Sequence, residues 1–390
     1  MKIESADIMK GLPTQFFATL VAKVGQAVKA GHDIINLGQG NPDQPTPAHI
    51  VEEMQRAVAN PTHHKYSPFQ GRRELKEAMA HWYLQEHGVE LDPEQEVAIV
   101  FGGKTGLIEV CQVLLNPGDV CLVPDPGYPD YWSGVALTGA EMSFMPLRES
   151  ADYLPDFHEI SQDHLNKAKL MFLNYPNNPT SATAPLSFFE ETVRFAEKHG
   201  VVVCHDFAYG AIGFDGNKPI SFLQAPGAKE VGVEVYTLSK TYNMAGWRVG
   251  FVVGNREIVR LVNLLQDHLF VSLFGAVQMA GAHALTAPQD CVRQLVSTYE
   301  SRRNVFFEGL KEIGWKAQPP RGSFFSWLPV PNGYTSVSFA DKLLEEAHIV
   351  VAPGKGFGSY GEGYVRVGLL TDEERLKEAV ARLDRLNLFK

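Results

Sequence analysis

Between about residues 96 and 254, short apolar runs return again and again, each closed by small and polar residues. Val97 to Phe101, Val120 to Val123, Leu170 to Leu173, Val201 to Cys204, Val233 to Leu238 and Val249 to Val253 are the runs. The first is followed by a helical pattern from about Lys104 to Leu115, and a turn at Asn116-Pro117-Gly118-Asp119 precedes the second. Strand-like runs alternating with helical patterns predict an α/β protein whose central sheet is largely parallel and flanked by helices. Ligands of such sheets gather at the carboxyl ends of the strands. That rule selects Gly102-Gly103-Lys104-Thr105, Asn174 to Asn178, His205-Asp206 and Ser239-Lys240 as neighbours in one site.

Outside this stretch the texture differs. Phe17, Leu20, Val21, Val24 and Val28 share one helical face that ends at Gly31, and Ile34 to Gly38 reads as a short strand. After about 285, a long helical stretch from Asp290 to Ile313 leads to strand-like Phe324 to Leu328. A helix near Phe339 to Ala347, strands at Ile349 to Val351 and Tyr364 to Leu369, and a last helix from Asp372 complete a smaller α+β unit. The predicted division is an arm with part of the small domain over 1–45, a large domain over 46–285 and a small domain over 286–390. A chain of 390 residues with 45% hydrophobic content has ample material for both cores.

The charge balance narrows the partners. A net charge of −10 with no block of like charges argues against nucleic acid and acidic membrane surfaces. Neither a leader-like apolar segment nor a run of membrane-spanning length is evident. Cys111, Cys121, Cys204 and Cys291 show no metal-like spacing, and Cys204 lies inside an apolar run. The expected setting is the reducing cytoplasm, with no metal.

Lys240 holds the chemistry. It follows a buried-strand pattern, sits among hydroxyl residues and precedes Arg248 by eight positions. Loss of hydration and a nearby cation both lower a lysine's pKa and free a nucleophilic amine near neutral pH. An amine beside hydroxyls and an arginine suits a phosphorylated aldehyde, the description of pyridoxal 5'-phosphate. That cofactor needs four more groups. Asp206 offers an acid for the pyridine nitrogen, or else caps a helix, and Tyr209 could bond the ring oxygen. Gly102-Gly103-Lys104-Thr105, where a glycine turn enters a helix, offers a phosphate cradle that Thr237, Ser239 and Arg248 would complete. Tyr128 could stack on the ring, or simply pack. Arg366, alone in an apolar strand, wants an anion, either a substrate carboxylate or an internal ion pair. His205 reads as structural.

Two motif matches fail on context. Gly103-Lys104-Thr105 suggests a Walker A loop, but Ala98 stands where its first glycine belongs. Gly356 to Gly361 spells a dinucleotide fingerprint, yet a strand follows it where a helix is required.

Asn177-Asn178-Pro179-Thr180, Asp206-Phe207-Ala208-Tyr209, Ser239-Lys240-Thr241 with Gly246-Trp247-Arg248, and Arg366 together resemble the motif set of fold-type I, class I/II aminotransferases, over essentially the whole chain. The resemblance implies that Lys240 is joined to the cofactor, Asp206 pairs with the pyridine nitrogen, Asn178 and Tyr209 flank the ring oxygen and Tyr128 stacks. Gly103, Lys104, Thr105, Thr237, Ser239 and Arg248 would line the phosphate, and Gly40, Asn178 and Arg366 would meet the substrate. Tyr66 matches a tyrosine that reaches a partner's phosphate, which implies a homodimer with shared sites. Ser181 departs from the pattern, standing where glycine is usual. Within the family, Leu37 to Pro45, Gly127 to Trp132 and His205 to Gly210 resemble the Bacillus-type methionine-salvage branch. That implies amino-group transfer between an amino acid and a 2-oxo acid, with 4-methylthio-2-oxobutanoate as acceptor.

Phe16, Phe17, Tyr131 and Phe324 are plausible neighbours for an apolar substrate side chain, or else core. Alternatives that stay open are an aspartate, alanine or aromatic aminotransferase, a C–S lyase or decarboxylating relative, and a non-catalytic ligand sensor.

Overall fold

The computed structural model describes residues 1, 3–13 and 16–389, without the side chains of residues 17–19. A short β1 (Ile35–Asn36) precedes seven strands that form the central sheet. These are β2 (Val97–Val100), β3 (Val120–Asp125), β4 (Glu141–Pro146), β5 (Ala168–Asn174), β6 (Val202–Asp206), β7 (Gly232–Thr237) and β8 (Gly250–Gly254). Their order is β2-β8-β7-β6-β5-β3-β4. Six run parallel and β8 runs against both its neighbours. Most of these strands are buried along their whole length, because helices cover both faces. Alternate side chains therefore enter different cores: Val233 and Val235 of β7 join one cluster, and Tyr236 the other.

β4 is the strand that the apolar pattern does not announce. It lies at the sheet edge, and its residues alternate between buried and exposed, so no continuous apolar run marks it. The direction of β8 is equally silent in the pattern, since an apolar run reads the same either way.

The remaining strands are β9 (Phe325–Pro329), β10 (Ile349–Val350), β11 (Ala352–Pro353) and β12 (Tyr364–Gly368). β11, β12 and β9 make a small antiparallel sheet, while β10 pairs in parallel with β1. A separate core gathers Ile35 and Leu37 with Phe306, Leu310, Leu328, Phe339, Val365 and Leu376. Among the described residues no helix is long and apolar enough to cross a membrane.

Register explains how distant segments meet. Asn174 of β5 lies opposite Asp206 of β6, and Thr237 of β7 opposite Gly250 of β8. The carboxyl ends of three parallel strands and the start of the reversed β8 thus share one edge. Asn174, Asp206, Thr237 and Arg248 converge there.

Candidate active site

β7 ends in a single helical turn, Leu238–Thr241, whose start Thr237 caps by accepting the Ser239 N–H at 3.2 Å. Lys240 sits on that turn. Its Nζ donates to the Gly40 carbonyl at 2.8 Å and lies 5.5 Å from the centre of the Phe324 ring. Burial first, then the charges of Arg366 and Arg248, lower its pKa to about 8 against the opposing pull of Asp206. A substantial fraction of this amine is therefore neutral near physiological pH.

Asp206 closes β6 and is buried. Tyr131 Oη donates to one carboxylate oxygen at 2.8 Å and the Ala208 N–H to the other at 3.2 Å. Asn174 Nδ2 donates to the Asp206 carbonyl at 2.7 Å, and Asn174 Oδ1 accepts the Asn178 N–H at 2.7 Å. One asparagine thereby fixes the backbone of two candidate site residues. Burial raises the Asp206 pKa and the Tyr131 and Ala208 donors oppose it. The adjacent His205 faces away into the core. Its Nε2 accepts the Tyr175 N–H at 3.1 Å, so Nδ1 carries the proton it donates to Glu234 at 2.7 Å.

Arg366, on β12, is buried between two rings, its guanidinium carbon 3.9 Å from the Phe325 centroid and 4.8 Å from that of Phe357. Nη1 donates to Asn178 Oδ1 at 2.8 Å and Nη2 to the Gly38 carbonyl at 3.0 Å, while the buried Nε has no partner among the described residues. Burial lowers its pKa to about 10, which still leaves a cation at neutral pH. Its hydrogen-bond partners are neutral, and no carboxylate among the described residues forms an ion pair with it. That disposes of the internal ion pair and leaves an anion-receptive guanidinium.

The glycine turn enters the helix Gly103–Leu114 with Gly102 at φ +85°. A Cβ at Gly102 would stand 2.5 Å from Arg248 Nη2, so only glycine lets the arginine lie against the turn. Arg248 is oriented by the carbonyls of Ala245 (3.0 Å) and Phe101 (3.2 Å). Thr237 Oγ1 donates to Ser239 Oγ at 2.9 Å. Lys104, also here, pairs with Asp130 at 2.9 Å.

A cavity of about 460 Å³ unites these groups. Gly40, Gly103, Lys104, Tyr128, Asn178, Asp206, Tyr209, Thr237, Ser239, Lys240, Arg248 and Arg366 all line it. Thr105 does not; its hydroxyl donates to the Phe101 carbonyl at 3.1 Å. Tyr66 stands outside it, 87% exposed. Of the side-chain neighbours expected from sequence, Phe16 lines the cavity and the side chain of Phe17 lies outside the described residues. For Tyr131 and Phe324 the core alternative holds: Tyr131 is fully buried behind the wall and holds Asp206, and Phe324 is fully buried while its neighbour Phe325 lines the cavity.

The donor set fits a phosphorylated pyridine aldehyde: an amine of lowered pKa, a buried carboxylate, and a helix N-terminus flanked by hydroxyls and Arg248. The orphaned Nε of Arg366 fits a substrate carboxylate.

Residues 32–383 match the family model described as aminotransferase class I and II. Over 389 residues, all of this chain and 98% of the relative, the sequence is 63% identical to L-glutamine–4-(methylsulfanyl)-2-oxobutanoate aminotransferase of Bacillus subtilis strain 168. It is 44% identical over 384 residues, 98% of both chains, to LL-diaminopimelate aminotransferase of Moorella thermoacetica. Among solved structures, apo BacF of Bacillus subtilis superposes with a TM-score of 0.96 at 50% identity, covering 100% of this chain and 99% of that one.

Proposed function

The chain belongs to the class I and II aminotransferases, and on that premise we propose how its residues divide the work. It is a fold-type I, pyridoxal 5'-phosphate-dependent enzyme that moves an amino group between an amino acid and a 2-oxo acid, with 4-(methylsulfanyl)-2-oxobutanoate as acceptor. Methionine is the product, so the reaction belongs to methionine salvage. Glutamine, the donor in the name of the 63%-identical relative, is the donor we infer. The observation that carries the site assignment is the meeting of Lys240, Asp206 and Arg366 around one cavity.

Bound there, the cofactor supplies an electron sink for the pair released from the substrate's Cα–H bond. With the cofactor bound, Lys240 Nζ would hold its aldehyde end at rest and would serve as a base once a substrate is in place. The neutral Nζ then takes the Cα proton, a role its lowered pKa supports. Asp206 holds a proton at the pyridine nitrogen, and Tyr131 and Ala208 keep its carboxylate aimed. Tyr209 and Asn178 would bond the ring oxygen, and Tyr128 would cover the ring face. Gly103, Lys104, Thr237, Ser239 and Arg248, which line the cavity, would receive the phosphate. Arg366, with Gly40 and Asn178, receives the substrate carboxylate and turns the Cα–H bond toward Lys240. Two half-reactions follow one another, the first product leaving before the second substrate enters.

The reading takes 46–285 as the cofactor-binding domain and 286–390, with part of 1–45, as the small domain. It also takes the enzyme as a homodimer. Exposed Tyr66, with exposed Phe69, Phe270 and Phe274, supports a partner surface from which Tyr66 would reach the other subunit's phosphate. All four cysteines are free, which supports a reducing, cytoplasmic setting.

The test is an absorbance titration of the purified protein with methionine and then with 4-(methylsulfanyl)-2-oxobutanoate. The cofactor band is expected to convert with the first and return with the second, and Lys240→Ala to lose both the band and turnover. A bound cofactor indifferent to methionine rejects the substrate; turnover without Lys240 rejects the mechanism. Sedimentation of the holoenzyme as a monomer rejects the shared site.

A further inference from the structure

Four hydrogen bonds outside the cavity, three of them made by the side chains of Ser181 and Asp125, tie the aromatic walls of Arg366 to the part of the chain that carries the seven-stranded sheet. Phe325 lies on β9 and Phe357 on the turn Gly354–Phe357, both beyond residue 286. Ser181 Oγ donates to the Phe325 carbonyl at 2.6 Å. Asp125, at the end of β3, accepts the N–H groups of Ser359 and Tyr360, each at 3.0 Å, and the Gly127 N–H donates to the Phe357 carbonyl at 2.8 Å.

Each contact is maintained against a local cost. Ser181 is buried at φ +63°, a left-handed conformation that glycine adopts more easily. Its hydroxyl is the one thing glycine lacks, and that hydroxyl reaches β9. Asp125 is buried with no ion-pairing cation among the described residues, its two oxygens satisfied by backbone N–H groups alone. Gly358, at φ +132°, lets the turn sit that close: a Cβ there would stand 2.0 Å from an Asp125 oxygen.

We propose that Asp125 and Ser181 are positioning residues: they seat Phe357 and Phe325 on either side of Arg366 and thereby set the affinity for the substrate carboxylate. Neither touches the reacting atoms. Their effect falls on carboxylate binding, and the proton transfer at Lys240 proceeds without them. The inference rests on the reading of Arg366 as the carboxylate receiver.

The experiment uses the holoenzyme and the variants Ser181→Gly, Asp125→Asn, Asp125→Ala and Arg366→Met. Steady-state kinetics with methionine and its 2-oxo acid give KM and kcat. Calorimetry with 4-(methylsulfanyl)butanoate, a carboxylate with no amino or oxo group to react, gives Kd directly. Ser181→Gly should weaken the probe and raise KM about fivefold, the loss of one hydrogen bond, with kcat within about twofold of the parent. It relieves the left-handed serine, so its melting temperature should not fall, and the test stands even if Asp125→Ala fails to fold. Asp125→Ala should weaken binding about twentyfold, and Asp125→Asn should recover part of that because its amide oxygen still accepts one N–H. Arg366→Met should abolish probe binding. If Ser181→Gly and Asp125→Asn bind the probe like the parent while Arg366→Met does not, the positioning role is overturned and the reading of Arg366 survives. If Arg366→Met also binds it unchanged, both fall.

Discussion

Tyr131→Phe removes one oxygen from the buried wall behind Asp206. The phenyl ring keeps its stack on Phe172, at 4.7 Å between centroids and 11° between planes, and its edge contact with Tyr128. Both partners are buried, so no water replaces the lost 2.8 Å hydrogen bond. A hydrogen bond to a charged group contributes about 1.5–3 kcal/mol. Its loss raises the proton affinity of Asp206 by roughly one pKa unit at the lower figure. A more basic Asp206 draws the shared proton away from the pyridine nitrogen of bound cofactor and weakens the electron sink. We expect kcat to fall about tenfold, the rate equivalent of about 1.4 kcal/mol. The acid limb of its pH profile should move upward by about one unit. Single-turnover kinetics with methionine from pH 5 to 9, alongside a melting curve, measure this. A folded variant with kcat within twofold of the parent and an unmoved acid limb would falsify it. Ala208 and Asn174 alone would then suffice to hold Asp206.

Three further expectations follow from burial and charge. In cofactor-free enzyme, the rate at which Lys240 captures pyridoxal phosphate should reach half its maximum near pH 8, well below the ordinary lysine value. Arg366→Met should move that midpoint up, since one of the lowering charges is gone; a midpoint above pH 10 in the parent would contradict the geometry. Glu109 is buried with one oxygen bonded by Gln266 and the other without a partner among the described residues, and burial raises its pKa to about 7. The folded protein holds this proton more tightly than the unfolded chain does, so its contribution to stability fades as pH rises from about 4.5 through 7. Glu109→Gln should raise the melting temperature at pH 8 and flatten its fall between pH 5 and 8; equal slopes would reject the assignment. Phe251, fully buried on β8, should cost about 3–5 kcal/mol when truncated to alanine, read as a lowered melting temperature.

Most of the elements were legible because their causes are local. The apolar runs at 97, 120, 170, 201, 233 and 249 became strands within a residue or two of their expected ends, since a strand covered on both faces must be apolar throughout. The placement of chemistry at strand ends was legible for the same reason, and it gathered Lys240, Asp206, Asn178 and Arg248. β4 was not legible, because its own residues alternate between buried and exposed and offer no continuous run.

Local pattern along the chain marks out the residues that could act: a lysine after a buried strand, an acid after another, an arginine alone in a third. Tertiary structure decided what each of them touches. Lys240 reaches a carbonyl 200 positions away and Arg366 an amide 188 away. Tyr131 turned to Asp206 and left the cavity wall to Phe325, and Lys104 found Asp130. Backbone preference and burial pattern act over a few residues and can be read along the chain. A hydrogen bond across the fold depends on strand order, direction and register, which only packing of the whole chain settles.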